Sequence, residues 1–292
     1  MVTPQSDNQK LAETVGVPSI YLKREDMHPY GSHKGRSIPR MINHYIDMGR
    51  NRFALSSSGN AALAAARHTK QLNKKDTHIS LDIFVGKNAD REKISLIEAE
   101  LSDGVSLESS ERPLQRLLEI TRLSNVISLR QSTDDEALVG YYELAEELLD
   151  IKNLEAVFVG TSSGTTLQGL GEYFKQKGRM VRLFAIQTTS CHPIANEFEE
   201  KSRIKNRETS EASAIVDKVA HRRTKISKLI QESQGDAFIV TNEEIEHARS
   251  LIGIHAGFEV TPNGALSLAG LIRAVKLGTI FTGPVVLIIC GK

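Results

Sequence analysis

Lys34 stands directly behind Gly31, Ser32 and His33 in "HPYGSHKGR" (28–36), at the mouth of a helix-like stretch. A lysine in a helix's first turn faces the positive end of the peptide dipoles. An ammonium is disfavoured there, and the neutral nucleophilic amine gains. Such an amine attacks carbonyl groups and forms a Schiff base. Three further segments carry groups suited to chemistry. "SSSGNAALAAA" (56–66) puts the hydroxyls and N–H groups of Ser57, Ser58 and Gly59, then the amide of Asn60, ahead of a small-residue helix. That set suits a carboxylate. "VGTSSGTTLQG" (159–169) strings Gly160, Thr161, Ser162, Ser163, Gly164 and Thr165 between a strand and a helix. Its N–H and hydroxyl donors can cradle a phosphate. It is neither a P-loop, since no lysine follows Gly164, nor a dinucleotide fingerprint, since the glycine spacing differs. Cys290 ends the most apolar run of the chain, "PVVLIIC" (284–290).

Each feature also has an ordinary structural reading. Lys34 could be a surface lysine after a turn, and the Ser-Asn loop a plain helix cap. Cys290 could be an inert core thiol.

Something must position these groups, and the apolar pattern says what. Strands are predicted at 19–23, 52–56, 79–85, 156–160, 181–187, 236–241 and 284–290, several apolar on consecutive positions as buried parallel strands are. Helices are predicted at 36–48, 60–72, 90–101, 111–123, 136–150, 165–177, 242–252 and 264–276. The alternation implies an α/β fold with mostly parallel sheets and helices on both faces. All four segments fall at predicted strand ends, where ligands of such sheets gather. Residues 199–228 break the rhythm, with nine Lys/Arg against five Asp/Glu. They read as a solvated excursion or as a cationic wall beside an anionic substrate.

Composition narrows the class. The 292 residues carry a net charge of +1, so no global field points to nucleic acid or a membrane surface. Tryptophan is absent, and no apolar run nears the ~20 residues of a membrane span. The polar start "MVTPQSDNQK" has no secretory core. Cys191 and Cys290 have no metal-ligand spacing, so no metal is expected and a cytoplasmic setting is.

The four segments, in this order, resemble the pyridoxal-phosphate enzymes of the tryptophan-synthase β-like fold, often called fold type II. "YLKREDMHPYGSHKGR" is similar to the lysine motif of threonine synthases and threonine dehydratases. "SSSGNAALAAA" is similar to their substrate-carboxylate loop, and "VGTSSGTTLQGLGEYFK" to the phosphate loop of cysteine synthases. "GDAFIVTNEEIEHARSL" and "NGALSLAGLIRA" resemble the later part of threonine synthases. The resemblance implies pyridoxal 5'-phosphate held on Lys34 as a Schiff base, with Lys34 also moving the substrate's α-proton. It implies Asn60 on the cofactor's phenolic oxygen and Ser57, Ser58, Gly59 and Asn60 around the substrate carboxylate. It implies Gly160 to Thr165 around the phosphate, His33 beside it, and Cys290 facing the pyridine nitrogen. It further implies a homodimer and two lobes, a smaller one over 36–133 and a larger cofactor-binding one from 1–35 and 134–292.

The implied activity is β/γ-elimination or replacement on a small amino acid, threonine-synthase-like. Serine/threonine dehydratase and cysteine synthase are the alternatives. Gly35 stands where the family often has Asp, and the chain ends two residues past Cys290. These departures keep open a cofactor-holding protein with little turnover. A substrate such as O-phosphohomoserine needs a second anion site, for which Arg36, Arg40 and "HRRTK" (221–225) are candidates.

Overall fold

The apolar runs become parallel strands because successive residues of each face two different cores. In Ala156–Gly160, Ala156 and Phe158 join one apolar cluster, while Val157 and Val159 join another on the opposite face. The computed structural model describes residues 1–75, 77–198 and 209–291. In chain order the elements are β1 (Gln5–Asp7), α1 (Gln9–Val15), β2 (Ser19–Lys23), α2 (Lys34–Asp47), β3 (Arg52–Ser56), α3 (Asn60–Asn73) and β4 (Ser80–Gly86). Then come α4 (Arg91–Glu98), β5 (Val105–Ser110), α5 (Pro113–Leu123), β6 (Ile127–Ser128), α6 (Glu136–Val139), α7 (Tyr142–Leu149) and β7 (Ala156–Gly160). The chain continues through α8 (Thr165–Gln176), β8 (Arg182–Thr188), α9 (Arg223–Glu232), β9 (Asp236–Val240), α10 (Asn242–Ala256), α11 (Pro262–Lys276) and β10 (Pro284–Ile288).

Two compact units form, one from Pro29–Gly140 and the other from Met1–His28 with Tyr141–Lys292. The first holds a parallel sheet ordered β5-β4-β3-β6. Helix α2 covers one face with Ile38, Met41 and Ile42, spaced for one helical stripe and buried with Phe53, Leu55 and Ile83. On the other face Leu117 of α5 packs with Ala54 and Phe84. The second unit holds a six-stranded sheet ordered β1-β2-β10-β7-β8-β9, parallel except where β1 runs against β2. Residues of α1, α10 and α11 cover one face, residues of α7, α8 and α9 the other. Phe158 and Phe184 stack across β7 and β8 at 4.2 Å. Among the described residues no helix is long and apolar enough to cross a membrane.

The expected helix over 136–150 is two helices, α6 and α7, and the units divide between them at Gly140. A Cβ on Gly140 would lie 2.5 Å from Ser37 Cα, so the glycine lets α6 settle on the backbone of α2. Ser37 Oγ fixes that contact by donating to the Ala137 carbonyl at 2.9 Å. The first unit is longer at both ends than the 36–133 lobe expected. It takes in Lys34, which the sequence pattern groups with the larger lobe, because the lysine opens the helix that packs on β3. Elements β1, α1, β5, β6 and α9 carry too few apolar residues to stand out in the sequence. Residues 199–208 of the basic excursion lie outside the described residues.

Candidate active site

In the first unit, Gly31 adopts a left-handed backbone (φ 83°) that turns the chain into α2. Ser32 is buried, and its Oγ accepts the Lys34 N–H at 3.3 Å. Lys34 is the first residue of α2 and half-buried. Its Nζ has no hydrogen-bond or ion-pair partner among the described residues. One turn upstream, the Tyr30 hydroxyl lies 2.9 Å from His68 Nδ1, and His68 Nε2 lies 2.8 Å from Asn43 Oδ1. Burial pulls the His68 imidazole down to about 4. The ring is therefore neutral, and Asn43 Oδ1 as acceptor puts its proton on Nε2. Contacts from the Tyr30 hydroxyl to His68 Nδ1 and, at 2.9 Å, to Gln71 Oε1 tie the turn before Lys34 to α3.

At the end of β3 the Ser57 N–H donates to Phe84 O (3.2 Å) and the Gly59 N–H to Ser57 Oγ (3.3 Å). The N–H groups of Ser58, Asn60, Ala61 and Ala62 find no acceptor among the described residues. Neither does the half-buried Asn60 amide. Four donors at one helix start are a ready site for an anionic group.

In the second unit, β7 ends at Gly160 and the chain loops into α8. Thr161 turns inward: its N–H meets Ile186 O (2.9 Å) and its Oγ1 accepts from Gly164 N (3.0 Å). Ser163 and Thr165 share a hydrogen bond of 2.8 Å between their hydroxyls. Ser162 Oγ accepts from Val216 N (3.0 Å) and Asp217 N (2.9 Å), leaving its own proton to donate elsewhere. Gly164 is left-handed at φ 85°. The N–H groups of Ser162, Ser163, Thr166 and Leu167 have no acceptor among the described residues. Cys290 lies beside this loop because β10 pairs with β7. Its buried thiol points to Gly160 O at 3.5 Å.

The arginines expected to serve a second anion site are engaged. Arg40 Nε donates to Glu136 at 2.6 Å, and Arg223 Nε lies 3.0 Å from Glu197. Arg222 is buried with Nη1 3.4 Å from Gln168 Oε1, and Arg36 is buried too.

A family model described as pyridoxal-phosphate dependent enzyme matches residues 2–291. This chain belongs to the pyridoxal-phosphate dependent enzymes. It is 25% identical to threonine synthase of Methanosarcina acetivorans, over 95% of this chain and 71% of that one. It is likewise 25% identical to mitochondrial threonine dehydratase of Schizosaccharomyces pombe, over 94% of this chain but 45% of the longer enzyme. Maize serine racemase shares the fold, with a TM-score of 0.82 over 99% of this chain and 87% of the racemase at 17% identity. Pyridoxal phosphate is the cofactor of this family, and the donor set present fits it. An unengaged lysine amine suits the aldehyde, an unengaged amide suits the ring hydroxyl, and spare N–H donors at the start of α8 suit the phosphate.

Two features of the second unit escaped the sequence reading. Lys23 is fully buried, with Nζ on Glu147 and 3.0 Å from Thr3 O. The signal was a lysine closing the apolar strand "SIYLK". Gln187 is fully buried at the end of β8 and hydrogen-bonds the loop that follows β7. Its signal was a lone amide in the apolar run "VRLFAIQ".

Proposed function

We propose that this pyridoxal-phosphate enzyme catalyses elimination or replacement at the β or γ carbon of a small amino acid. Cys290 carries the reading. A carboxylate facing the pyridine nitrogen would keep it protonated and favour transamination; an uncharged thiol does not compel that protonation. The weaker electron sink suits reactions in which a leaving group drains the carbanion quickly.

When bound, the cofactor supplies an electron sink for the carbon bearing the substrate's amino group. The chain's own residues would do the rest. Lys34 Nζ would hold the cofactor covalently and, once freed, would take and return the α-proton. Asn60 would bond the ring hydroxyl. The hydroxyls and N–H groups of Ser57, Ser58 and Gly59 would grip the substrate carboxylate, and Gly160 to Thr165 the cofactor phosphate. His33, just before Lys34, would flank that phosphate.

For the substrate, likeness to threonine synthase supports conversion of O-phosphohomoserine to threonine. The engaged state of Arg40, Arg222 and Arg223 favours a second reading, dehydration of serine or threonine, whose hydroxyl leaving group needs no second anion site. One experiment addresses both. The holoenzyme is reduced with borohydride, digested, and the cofactor adduct mapped; it is expected on Lys34, and an adduct on another lysine refutes the assignment. The same preparation is then assayed with O-phosphohomoserine, threonine, serine, and O-acetylserine plus sulfide. Phosphate release at the highest kcat/KM supports the synthase, and oxo-acid from threonine or serine supports the dehydratase. Transamination as the dominant reaction with every substrate overturns both.

A further inference from the structure

Gln187 makes four hydrogen bonds from a fully buried position. Its Nε2 donates to the carbonyls of Thr161 and Ser162, each at 3.2 Å. Its Oε1 accepts from the N–H groups of Ile194 at 2.8 Å and Ala195 at 3.0 Å. Two carbonyls on one side and two N–H groups on the other leave no choice in which way the amide points.

Peptide geometry then gives these bonds a consequence. In a trans peptide the C=O and the following N–H point in opposite directions. Drawing the Thr161 and Ser162 carbonyls toward Gln187 therefore turns the N–H groups of Ser162 and Ser163 away from it. Those two N–H groups are among the four at this loop with no acceptor among the described residues. The others, on Thr166 and Leu167, belong to the first turn of α8.

We infer that Gln187 is a positioning residue that presets the anion cradle of residues 160–165 before any ligand arrives, holding two peptide planes so that their N–H groups face the anion. The inference rests on the proposed assignment of that loop to the cofactor phosphate. Without the amide, the two peptides could rotate, and binding would have to supply the ordering that Gln187 now supplies in advance. The same side chain ties the cradle to the backbone at 194–195, so the loop leans on a second, independent support.

The test compares pyridoxal phosphate with pyridoxal, which lacks the phosphate. Apo-protein is titrated with each, binding being read from the absorbance change. Wild type is expected to prefer pyridoxal phosphate. Gln187→Met keeps the length of the side chain and removes all four hydrogen bonds. It is expected to reduce that preference by about tenfold or more, the loss of two orienting bonds. Its affinity for pyridoxal should stay within about twofold of wild type, which a general loss of structure would not allow. Gln187→Glu keeps the acceptors for Ile194 and Ala195 and loses the donors. It too should lose the preference at neutral pH and regain part of it as acid protonates the new carboxyl. This variant decides the matter if Gln187→Met does not fold. Unchanged preference in the folded variants overturns the inference. Ser163→Asp, which sets a carboxylate in the same loop at a half-buried position, separates this failure from that of the underlying assignment. If Ser163→Asp abolishes the preference while the Gln187 variants keep it, the cradle stands and Gln187 has no part in it. If Ser163→Asp leaves the preference intact, the loop is not the phosphate site and the inference falls with it.

Discussion

Gly164→Ala separates two physical reasons for one glycine. The backbone there is left-handed at φ 85°. A side chain in that conformation costs about 1–2 kcal/mol. The added Cβ would also lie 2.1 Å from Ile226 Cδ1 and 3.1 Å from Ile194 Cδ1. Both isoleucines are buried in the core cluster over α8, so neither can swing into solvent. Overpacking of this kind costs about 1–3 kcal/mol. The sum is about 2–5 kcal/mol, which for a chain of this length is a fall of about 3–8 °C in Tm. Urea unfolding of the apo-protein, followed by circular dichroism, measures it. Ile226→Val removes the colliding Cδ1. In that background Gly164→Ala should cost less than in wild type, the conformational part of about 1–2 kcal/mol plus what the remaining close approach to Ile194 Cδ1 adds. An unchanged cost in the Ile226→Val background refutes the collision. A cost below about 0.5 kcal/mol in either background refutes the whole reasoning.

Lys23→Met strands the Glu147 carboxylate in the interior and should destabilise by about 3–5 kcal/mol; adding Glu147→Leu should recover most of the loss, and a double variant no better than the single one would show that the pair is not coupled. His68 stays neutral when folded down to about 4, while the unfolded chain takes up a proton near 6.5. The unfolded state thus holds more protons between those values, so stability is full above about 6.5 and falls by up to about 3 kcal/mol on acidification to 4. His68→Gln should flatten that part of the pH–stability curve, and identical slopes in the two proteins would refute the role given to the ring. Cys290→Asp should raise transamination relative to elimination. Equal product ratios from wild type and variant would leave Cys290 as a core residue beside Gly160.

The sequence by itself determined the apolar strands and the α/β class and marked the candidate site segments, because those signals are local. Strands such as Ala156–Gly160 and Pro284–Ile288 are apolar on successive residues, and that pattern needs two covered faces whatever the rest of the chain does. The turn glycine before Lys34 and the Ser-Gly-Asn start of α3 were legible for the same reason. Strand β5, "VSLESS", was not, since it buries little and is held by backbone bonds to β4. What the tertiary structure decided depends on residues distant in the chain. At Gly140, between α6 and α7, Ser37 from some hundred positions earlier lies too close for a Cβ, so the position takes only glycine. Arg222 and Arg223, free cations on paper, are taken by Gln168 and Glu197. The Gln187 amide reaches back across the sheet to carbonyls 25 and 26 positions earlier. A lone glutamine in an apolar strand has no local pattern to announce such partners. They exist because parallel pairing of β7 and β8 sets the two strand ends side by side.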